Sequence, residues 1–439
     1  MAIRRVNLSG RKNVRLTKSE INSLIPRAAL DIEAATKSIL PILEKVRTGN
    51  ESEILNLGVE FDGIKAPALR VPKTELAKAL AELDPIVRQS LEIAIGRIRK
   101  VHENQIREEK ITIVEPGATV TERWVSVDRV GLYVPGGKAV YPSSVIMNVV
   151  PAQIAKVSQI AVASPPQVSN NGWPNKTILA TCELLGIDEI YSIGGAGAIA
   201  LFAYGLPNLI EKCDLVTGPG NIYVAAAKRV LRGLIGIDSE AGPTEIAIIA
   251  DDTAIASDVA ADLISQAEHD TIAASVLITD SIKLADDVAK ELDQRSRNTK
   301  HSERIQTALS GQQSAIVLVA NIEMAVDVAN GYAAEHLEIH TKNAEIVAKS
   351  IKNAGAVFIG RFTPVSLGDY AAGSNHVLPT GGCACHSSGL SVQTFLRGIN
   401  FVEYSKESFE KILPTVVTLA NAEDLPAHGE AMTARLDKS

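Results

Sequence analysis

Apolar and polar residues follow two different rhythms along this chain. Up to about residue 110 the apolar positions recur at helical spacing, which predicts helices over 17–60 and 73–107. Thr17 and Glu20 have the spacing of a capping box at the start of this region. Short β-rich runs follow, and beyond residue 159 strand-like and helical runs alternate. That alternation predicts parallel α/β layers.

The alternating part of the chain gives the limits of the expected elements. Strands are predicted at 111–114, 124–130, 131–134, 159–163, 189–193, 214–217, 245–250, 275–279, 315–319 and 356–359. Helices are predicted at 176–185, 198–204, 222–231, 257–268, 282–295 and 322–334. A break near Ala241-Gly242-Pro243 separates two layers, and the rhythm stops after Leu390. The fold class is therefore α/β, with two Rossmann-like parallel-sheet domains, a helical N-terminal segment and a small helical C-terminal appendage.

Four segments follow as the expected domain organisation. Residues 1–25 form a basic N-terminal arm, which is predicted to be an interaction arm or a first strand in preference to a short targeting segment. Residues 26–110 and 244–390 form one α/β domain, and residues 111–243 form the other. Residues 391–439 form the C-terminal segment, which is expected to be helical.

Composition narrows the function classes. The chain has 439 residues, 46% of them hydrophobic and 22% charged, as in an ordinary soluble globular protein. A net charge of -7 argues against nucleic acid as a general partner. Four unevenly spaced cysteines do not form a disulfide framework, which indicates a reducing, cytoplasmic location. No apolar run is long enough to span a membrane.

Groups typical of metal binding and proton transfer gather late in the chain. The stretch Gly368–Thr380 combines a carboxylate, an amide and an imidazole with little hydrophobic periodicity, which predicts a loop aimed at a ligand. Gln266 and His269 lie three residues apart on a predicted helix, so both can face one ion. Glu335-His336 could supply two proton acceptors, although a solvated helix end is the favoured explanation of the pair taken alone. Asp, His and Gln together suit Zn²⁺.

Three glycine-rich loops lie in the first α/β layer. Gly218-Pro219-Gly220-Asn221 opens a helix and could bind an anion, and Gly131–Ser144 is a longer loop. Gly195–Ala200 matches the relaxed dinucleotide fingerprint G-x-G-x-x-A, but the nearest acid, Asp214, begins the following strand instead of ending it. Tight strand-to-helix turns explain each loop about as well as a nucleotide does.

The remaining candidates are predicted to be structural. Cys383 and Cys385, with His386, are incomplete as a tetrahedral metal site and are expected to be incidental thiols. His340 is expected to be structural, and His102 and His301 are expected on the solvated surface.

In their order along the chain, these motifs resemble the histidinol dehydrogenase family, from about residue 20 to about residue 432. The matching segments are 131–137, 141–145, 218–221, 241–245, 265–269, 334–337, 368–380 and His428. The resemblance implies an intertwined homodimer that oxidises L-histidinol to L-histidine through the aldehyde, as the last step of histidine biosynthesis. Residues 391–439 would be the dimerisation segment, the domain of residues 26–110 and 244–390 would carry the metal and catalytic site, and the domain of residues 111–243 would carry the NAD-binding loops. Two NAD⁺ would be reduced, and each subunit would hold one Zn²⁺.

The resemblance also implies roles for individual residues. Glu335 and His336 would be catalytic, His336 as proton acceptor and Glu335 as activator of water. Zinc would be held by Gln266, His269 and Asp369, with His428 completing the site of the partner subunit. The substrate-binding set would be Thr244, Gln266, His269, His336, Asp369, His376, Glu423 and His428, and the cofactor-binding set Tyr133, Asn221 and Gly197. Gly197 stands where the family usually carries a Gln, so one NAD contact is missing.

Two other functions fit parts of the pattern. A zinc hydrolase could use the Glu335-His336 pair to activate water, but it would leave the glycine-rich loops without a role. A non-catalytic binding protein would explain Gly197, yet it would not be expected to keep both catalytic candidates and all four ligand positions.

Overall fold

The computed structural model describes residues 3–11, 16–28, 31–136, 140–240 and 242–436. Part of the basic N-terminal arm lies outside the described residues, and so do Gly137 and Ala241 of the segments that carry the family resemblance. The chain divides into a larger unit, up to Gln105 and over Asp128–Phe395, and a smaller unit, Ile106–Val127 together with the chain from Leu396 onward.

The described residues form the following elements. The strands are β1 Arg4–Asn7, β2 Lys110–Glu115, β3 Ala118–Ser126, β4 Arg129–Tyr133, β5 Gln159–Ser164, β6 Ile190–Ser192, β7 Leu215–Thr217, β8 Gly236–Ile237, β9 Glu245–Ala250, β10 Ala274–Thr279, β11 Ala315–Leu318, β12 His336–His340, β13 Ala356–Ile359 and β14 Leu396–Tyr404. The helices are α1 Lys18–Leu24, α2 Ile32–Thr48, α3 Glu51–Asp62, α4 Lys73–Ala81, α5 Pro85–Glu103, α6 Pro142–Ile154, α7 Lys176–Leu184, α8 Gly195–Tyr204, α9 Ile222–Leu231, α10 Ala256–Ala267, α11 Ile282–Ser296, α12 Ser302–Ser310, α13 Ile322–Tyr332, α14 Ala344–Ala348, α15 Val365–Tyr370, α16 Lys406–Ala422 and α17 Pro426–Thr433.

Two parallel sheets form the larger unit, which confirms the α/β class. One has six strands in the order β1-β11-β10-β9-β12-β13, and the other has five in the order β6-β5-β4-β7-β8. Apart from β1, which lies at an edge beside β11, the strands of both sheets start near the centre and are added first to one side and then to the other. The direction of growth reverses between β9 and β12 in the first sheet and between β4 and β7 in the second. Such reversal points open crevices at the ends of the neighbouring strands.

Strand β1 comes from the basic N-terminal arm. Its four residues pair in parallel with β11, with Arg4 opposite Ala315 and Asn7 opposite Leu318. Of the alternatives open for this arm, the first strand is therefore confirmed. The capping box also forms, since the Thr17 side chain accepts from the Glu20 N–H and the Glu20 carboxylate accepts from the Thr17 N–H.

The N-terminal helices pack differently from the expected grouping. Residues of α2 and α3, including Ile39 and Leu57, share one buried cluster with Tyr133, Ile199 and Val216 of the five-stranded sheet region. Residues 26–110 were expected to accompany 244–390 instead. Apolar periodicity shows that a helix has a buried face but not which sheet that face covers, and the grouping by domain remains a prediction.

The smaller unit departs from the expected helical appendage. β14 pairs antiparallel with β3, and β3 with β2, in a three-stranded sheet, while α16 and α17 form the helical part. Ile399 and Phe401 alternate with polar residues at strand spacing, so a signal for β14 was present in the sequence. Likewise, β2 and β3 join this sheet and neither parallel sheet, which differs from their expected place in the domain of residues 111–243.

No helix among the described residues is long and apolar enough to cross a membrane. The four cysteines are free thiols, two of them buried, as expected for a chain without a disulfide framework.

His102 was expected on the surface but is fully buried, with its Nδ1 2.8 Å from the Ile98 carbonyl oxygen. His102 lies on the buried face of α5, and the many charged residues of this helix led to the wrong prediction of a solvated position.

Candidate active site at the amino edge of the six-stranded sheet

The Glu335-His336 pair lies at the start of β12 and not at the end of a helix. Helix α13 ends at Tyr332, and Ala333 adopts a left-handed conformation with φ of 51°. The expected helix to residue 334 is therefore wrong by two residues. A non-glycine residue in this region costs on the order of 1–2 kcal/mol, and such strain is concentrated at functional sites. The turn delivers Glu335 and His336 to the amino edge of the sheet, next to the start of β9.

Glu335 is buried and tied to the residues that open β9. Its Oε2 accepts hydrogen bonds from the Thr244 hydroxyl at 2.6 Å and from the Glu245 N–H at 3.0 Å. Burial raises the pKa of this carboxyl to about 8, and the bonds from Thr244 and Glu245 oppose that shift. A carboxyl group with a pKa in this range can exchange a proton near neutral pH, which is the property that a general base needs.

His336 is buried with one ring nitrogen bonded and the other free. Its Nδ1 lies 3.2 Å from the Glu245 carbonyl oxygen, and because a carbonyl can only accept, Nδ1 must carry the proton. Its Nε2 is buried without a hydrogen-bond partner among the described residues, and the Asp369 Oδ1, at 3.9 Å, is too distant for a hydrogen bond. Burial lowers the pKa of His336, and Asp369 opposes the shift. The ring is thus held neutral with its lone pair at Nε2.

Gln266 and His269 come from the end of α10 beside the same edge. Gln266 is buried, and its Nε2 donates to the Thr244 hydroxyl oxygen at 2.6 Å. Its Oε1 is buried without a partner in the described part of the chain, which is a costly arrangement for an amide oxygen. His269 lies two residues beyond Ala267, the last residue of α10, and therefore not on the helix, where it was expected. Desolvation lowers the pKa of His269, and the neighbouring Asp369 carboxylate opposes this.

Asp369 and His376 belong to the stretch that was expected to be a loop, although Asp369 lies within the short helix α15. The Nδ1 of His376 donates to the Asp369 carbonyl at 2.9 Å, and its Nε2 lies 3.2 Å from the Ser144 hydroxyl. Gly368 allows this helix to approach β13, because a Cβ there would lie 2.5 Å from the Phe358 ring. The stretch therefore joins the Glu335-His336 pair to the start of α6.

His428 and Glu423 belong to a different unit of the chain from the other predicted site residues. Both belong to the smaller unit, Glu423 just after α16 and His428 within α17, and both are exposed. The larger unit brings together Thr244, Gln266, His269, Glu335, His336, Asp369 and His376. Three of the four predicted metal ligands are thus in one unit, and the fourth is on an exposed surface of the other.

Two of the predicted cofactor residues lie at the carboxyl edge of the five-stranded sheet. Tyr133 ends β4, and its buried hydroxyl accepts from the Gly195 N–H at 3.1 Å. Gly218, with φ of +119°, lies so close to Tyr133 that a Cβ would be 2.0 Å from its carbonyl oxygen. Asn221 caps α9 through Oδ1, which accepts from the Tyr223 and Val224 N–H groups. These residues lie where the strand order reverses, the usual place for a nucleotide crevice.

Gly197 lies inside α8 and not in a loop. A Cβ at this position would lie 3.2 Å from the side chains of Ile193 and Leu57, so the position faces the core. The apparent fingerprint Gly195–Ala200 is thus the first part of a helix that begins at Gly195. Position 197 offers no side-chain group to a cofactor.

The structure adds a polar cluster that the sequence did not indicate. Asp262, Glu338 and His340 place ligand-type atoms within 4.8 Å of one another. His340 Nε2 lies 3.1 Å from Glu338 Oε2, whose other oxygen accepts from the Val365 N–H at 2.7 Å. Burial and the Glu338 charge raise the pKa of Asp262 to about 8. The members bond to one another, and the structural role of His340 remains a prediction.

Similar proteins cover nearly the whole chain. A family model described as histidinol dehydrogenase matches residues 25–436. The histidinol dehydrogenase of Thermobifida fusca is 59% identical over 428 residues, which cover 98% of each chain. That of Nocardia farcinica is 56% identical over 437 residues, or 99% of this chain and 98% of the relative. The crystal structure of histidinol dehydrogenase from Elizabethkingia anophelis is 33% identical with a TM-score of 0.92, covering 99% of this chain and 98% of that chain.

Proposed function

The chain belongs to the histidinol dehydrogenase family, NAD-dependent oxidoreductases of histidine biosynthesis, and we propose that the residues at the amino edge of the six-stranded sheet carry out its reaction. The substrate is L-histidinol and the product L-histidine. The observation that carries the assignment is the environment of His336, whose Nε2 is buried without a hydrogen-bond partner in the described residues, while its Nδ1 lies against the Glu245 carbonyl oxygen. A base in that state is ready to accept a proton from a substrate hydroxyl.

The residues present fit a zinc ion. The Gln266 Oε1 is a buried acceptor without a partner among the described residues, and Asp369 and His269, whose charges interact, supply a carboxylate and an imidazole. An O/N donor set of this kind suits Zn²⁺. We assign Gln266, His269 and Asp369 as ligands, with His428 of the partner subunit as the fourth. When bound, zinc would supply a positive charge that orients the imidazole and amino groups of the substrate.

His336 serves as the proton acceptor in the first oxidation. As the alcohol carbon gives up a hydride to NAD⁺, Nε2 takes the hydroxyl proton and the C–O single bond becomes the aldehyde carbonyl. Because the Glu245 carbonyl holds the proton of Nδ1, the ring cannot present an N–H to the substrate in its neutral form. One positioned base of this type contributes about 10²–10⁴-fold in rate.

Glu335 acts in the second oxidation. Its carboxylate takes a proton from water as the water oxygen bonds to the aldehyde carbon, giving a hydrate. Once its first proton has passed to solvent, His336 accepts a hydroxyl proton from the hydrate, and the hydrate carbon gives up a second hydride to a second NAD⁺, which leaves the carboxylic acid. Thr244 holds the Glu335 carboxylate in place at 2.6 Å. Thr244, His376 and Glu423 are assigned to substrate contact, and contact with His376 Nε2 would replace its bond to Ser144.

Cofactor binding is assigned to the carboxyl edge of the five-stranded sheet. Tyr133 and Asn221 flank the reversal point between β4 and β7, and the N–H groups at the start of α9 lie beside them. NAD⁺ bound at this edge would supply the acceptor for each of the two hydrides. Gly197 is buried against Ile193 and Leu57, so any contribution from this position is limited to its backbone.

The assignment is tested by the stoichiometry of the reaction. Zinc-loaded protein is incubated with L-histidinol and NAD⁺, and NADH absorbance and histidine are measured together. Two NADH per histidine are expected. Histidine without NADH, or no turnover at saturating NAD⁺, would contradict the proposal and favour the hydrolase or binding alternatives.

The shared zinc site is tested in mixed dimers. His269→Ala and His428→Ala should each abolish zinc binding, but their mixture should regain one intact site per heterodimer. About a quarter of wild-type activity at equal mixing is the expected result, since half the dimers are mixed and each has one of two sites. Mixtures as inactive as their parents would show that each subunit holds its own zinc.

A further inference from the structure

Glu245 stands between the two catalytic residues, although no catalytic role is assigned to it above. Its N–H donates to the Glu335 Oε2 at 3.0 Å, and its carbonyl oxygen lies 3.2 Å from the His336 Nδ1. One peptide position therefore sets both the place of the carboxylate and the tautomer of the imidazole. Any displacement of Glu245 would change both contacts at once.

The Glu245 side chain is held from the opposite direction. Arg27 Nε donates to its Oε2 at 2.8 Å, and the buried Tyr332 hydroxyl lies 3.3 Å from the same oxygen. Burial raises the pKa of the Glu245 carboxyl, and the Arg27 charge opposes the shift. A carboxylate only 2% exposed is stable in its charged form only with such a partner.

Arg27 also contacts the turn that leads to the catalytic pair. Its guanidinium lies 4.2 Å from the centre of the Tyr332 ring, and it donates to the Tyr332 carbonyl. Tyr332 is the last residue of α13, directly before the left-handed Ala333. On its other side the guanidinium is covered by Gly382, where a Cβ would lie 3.3 Å from it and φ is +80°. One side chain thus joins the start of β9 to the turn before β12.

We propose that Arg27 and Tyr332 are positioning residues, which act through Glu245 to keep the His336 ring in the tautomer with a free Nε2. The proposal rests on the assignment of His336 as the base. Without the guanidinium the Glu245 carboxylate would move or bind a proton, and its peptide unit would no longer be fixed. The Nε2–H tautomer of His336 could then form, and this tautomer cannot accept the substrate proton at Nε2.

The test compares Arg27→Gln with a control variant that removes another largely buried ion pair. Arg129 and Glu189 form such a pair at the amino end of β4, far along the strand from Tyr133. Arg129→Gln should lower the melting temperature but leave kcat and both KM values unchanged. Arg27→Gln should lower kcat by about 10- to 100-fold, as expected for a misplaced catalytic group, with KM for L-histidinol and NAD⁺ within about threefold.

A spectroscopic readout separates positioning from general stability. The ¹⁵N shifts of the His336 ring, assigned by comparison with His336→Asn, distinguish the Nδ1–H from the Nε2–H tautomer. Wild type and Arg129→Gln should show Nδ1–H, and Arg27→Gln a mixture of both. Tyr332→Phe, which keeps the ring under Arg27 but loses the hydroxyl, should lower kcat by only a few fold. If Arg27→Gln does not fold, Arg27→Lys and Tyr332→Phe provide the same comparison.

The outcomes separate this inference from the proposed function. Unchanged kcat in folded Arg27→Gln and Tyr332→Phe, or an Nδ1–H tautomer in every variant, would overturn the positioning role while wild type still forms two NADH. Wild type that forms no NADH with L-histidinol would instead contradict the proposed function. The tautomer measurement does not depend on turnover, so it tests the contact in either case.

Discussion

Two histidines on one face of β12 show how differently the same side chain can be used. His336 begins the strand and His340 ends it, with Glu338 between them, and all three are buried. The Nε2 of His336 has no partner among the described residues, whereas that of His340 lies 3.1 Å from the Glu338 carboxylate. Burial alone therefore says little about function, and an unsatisfied atom says much more.

The two ends of the strand also differ in the shifts of their pKa values. Burial lowers the pKa of His336, which keeps the ring neutral. Burial alone would lower the pKa of His340 as well, but the bond and charge of Glu338 raise it above its ordinary value. The first ring is kept neutral and can take a proton, whereas the Glu338 carboxylate beside the second ring favours its protonated form.

The largest expected effect comes from His336→Asn. Asparagine can keep a bond to the Glu245 carbonyl but cannot accept a proton, so kcat for alcohol oxidation should fall about 10²–10⁴-fold. The measurement is NADH formation at saturating L-histidinol and NAD⁺. The matched control at the other end of the strand is His340→Gln, which should keep kcat near the wild-type value. Equal losses in the two variants would remove the distinction between them.

Glu335→Gln should slow the second oxidation more than the first. Glutamine can accept from Thr244 but cannot activate water, so oxidation of the aldehyde should slow by about 10²-fold or more, while oxidation of the alcohol slows less. Rates measured separately with L-histidinol and L-histidinal test this. The same loss with both substrates would mean that Glu335 does not act in the second step alone.

His340→Gln should affect stability, and more strongly in acid than in base. Because the folded state raises the pKa of His340 above 6.5, the charged pair with Glu338 contributes fully below that pH and is lost as pH rises through the folded pKa. Urea unfolding at pH 6 should show a loss of about 1–3 kcal/mol, with a smaller loss at pH 8. A loss that grows from pH 6 to pH 8 would contradict the assigned protonation.

Asp262→Asn should give the smallest effect. Asp262 keeps its proton in the folded state up to a pKa of about 8, against an ordinary value of 3.8, so its ionisation destabilises the wild type as pH rises from about 4 to 8. Asparagine can donate to Glu338 without ever ionising. The variant should gain about 1 kcal/mol relative to wild type between pH 6 and pH 8, measured by thermal unfolding. A constant difference across this range would indicate that Asp262 is ionised throughout.

The two parallel sheets place their proposed sites at opposite edges. In the five-stranded sheet, Tyr133 and Gly218 lie at the carboxyl ends of β4 and β7, as the fold predicts. In the six-stranded sheet, Glu335 and His336 lie at the amino ends, while the carboxyl end of β12 holds the satisfied His340. A search guided by the fold alone would therefore have chosen the wrong histidine.

Local patterns in the sequence predicted much of this arrangement, and long-range contacts account for what they missed. Motifs around Gln266 and Asp369 indicated the site because unusual polar groups recur in them at short spacing. The start of β12 was missed because Ala333 would ordinarily extend a helix, and its left-handed turn depends on tertiary packing. Glu245 was missed because it acts through its peptide group, which every residue shares.

The Thr244 hydroxyl links the protonation state of Glu335 to the orientation of its neighbours. It accepts from the Gln266 amide and donates to the Glu335 carboxylate, and it has only one hydrogen to give. The three groups form a chain with a fixed direction. If Glu335 takes up a proton and donates it to Thr244, the Thr244 hydrogen must rotate away, while the hydroxyl oxygen, which has two lone pairs, can still accept from the Gln266 amide. The state of one proton is thus transmitted as a rotation of the hydroxyl that binds the Gln266 side chain.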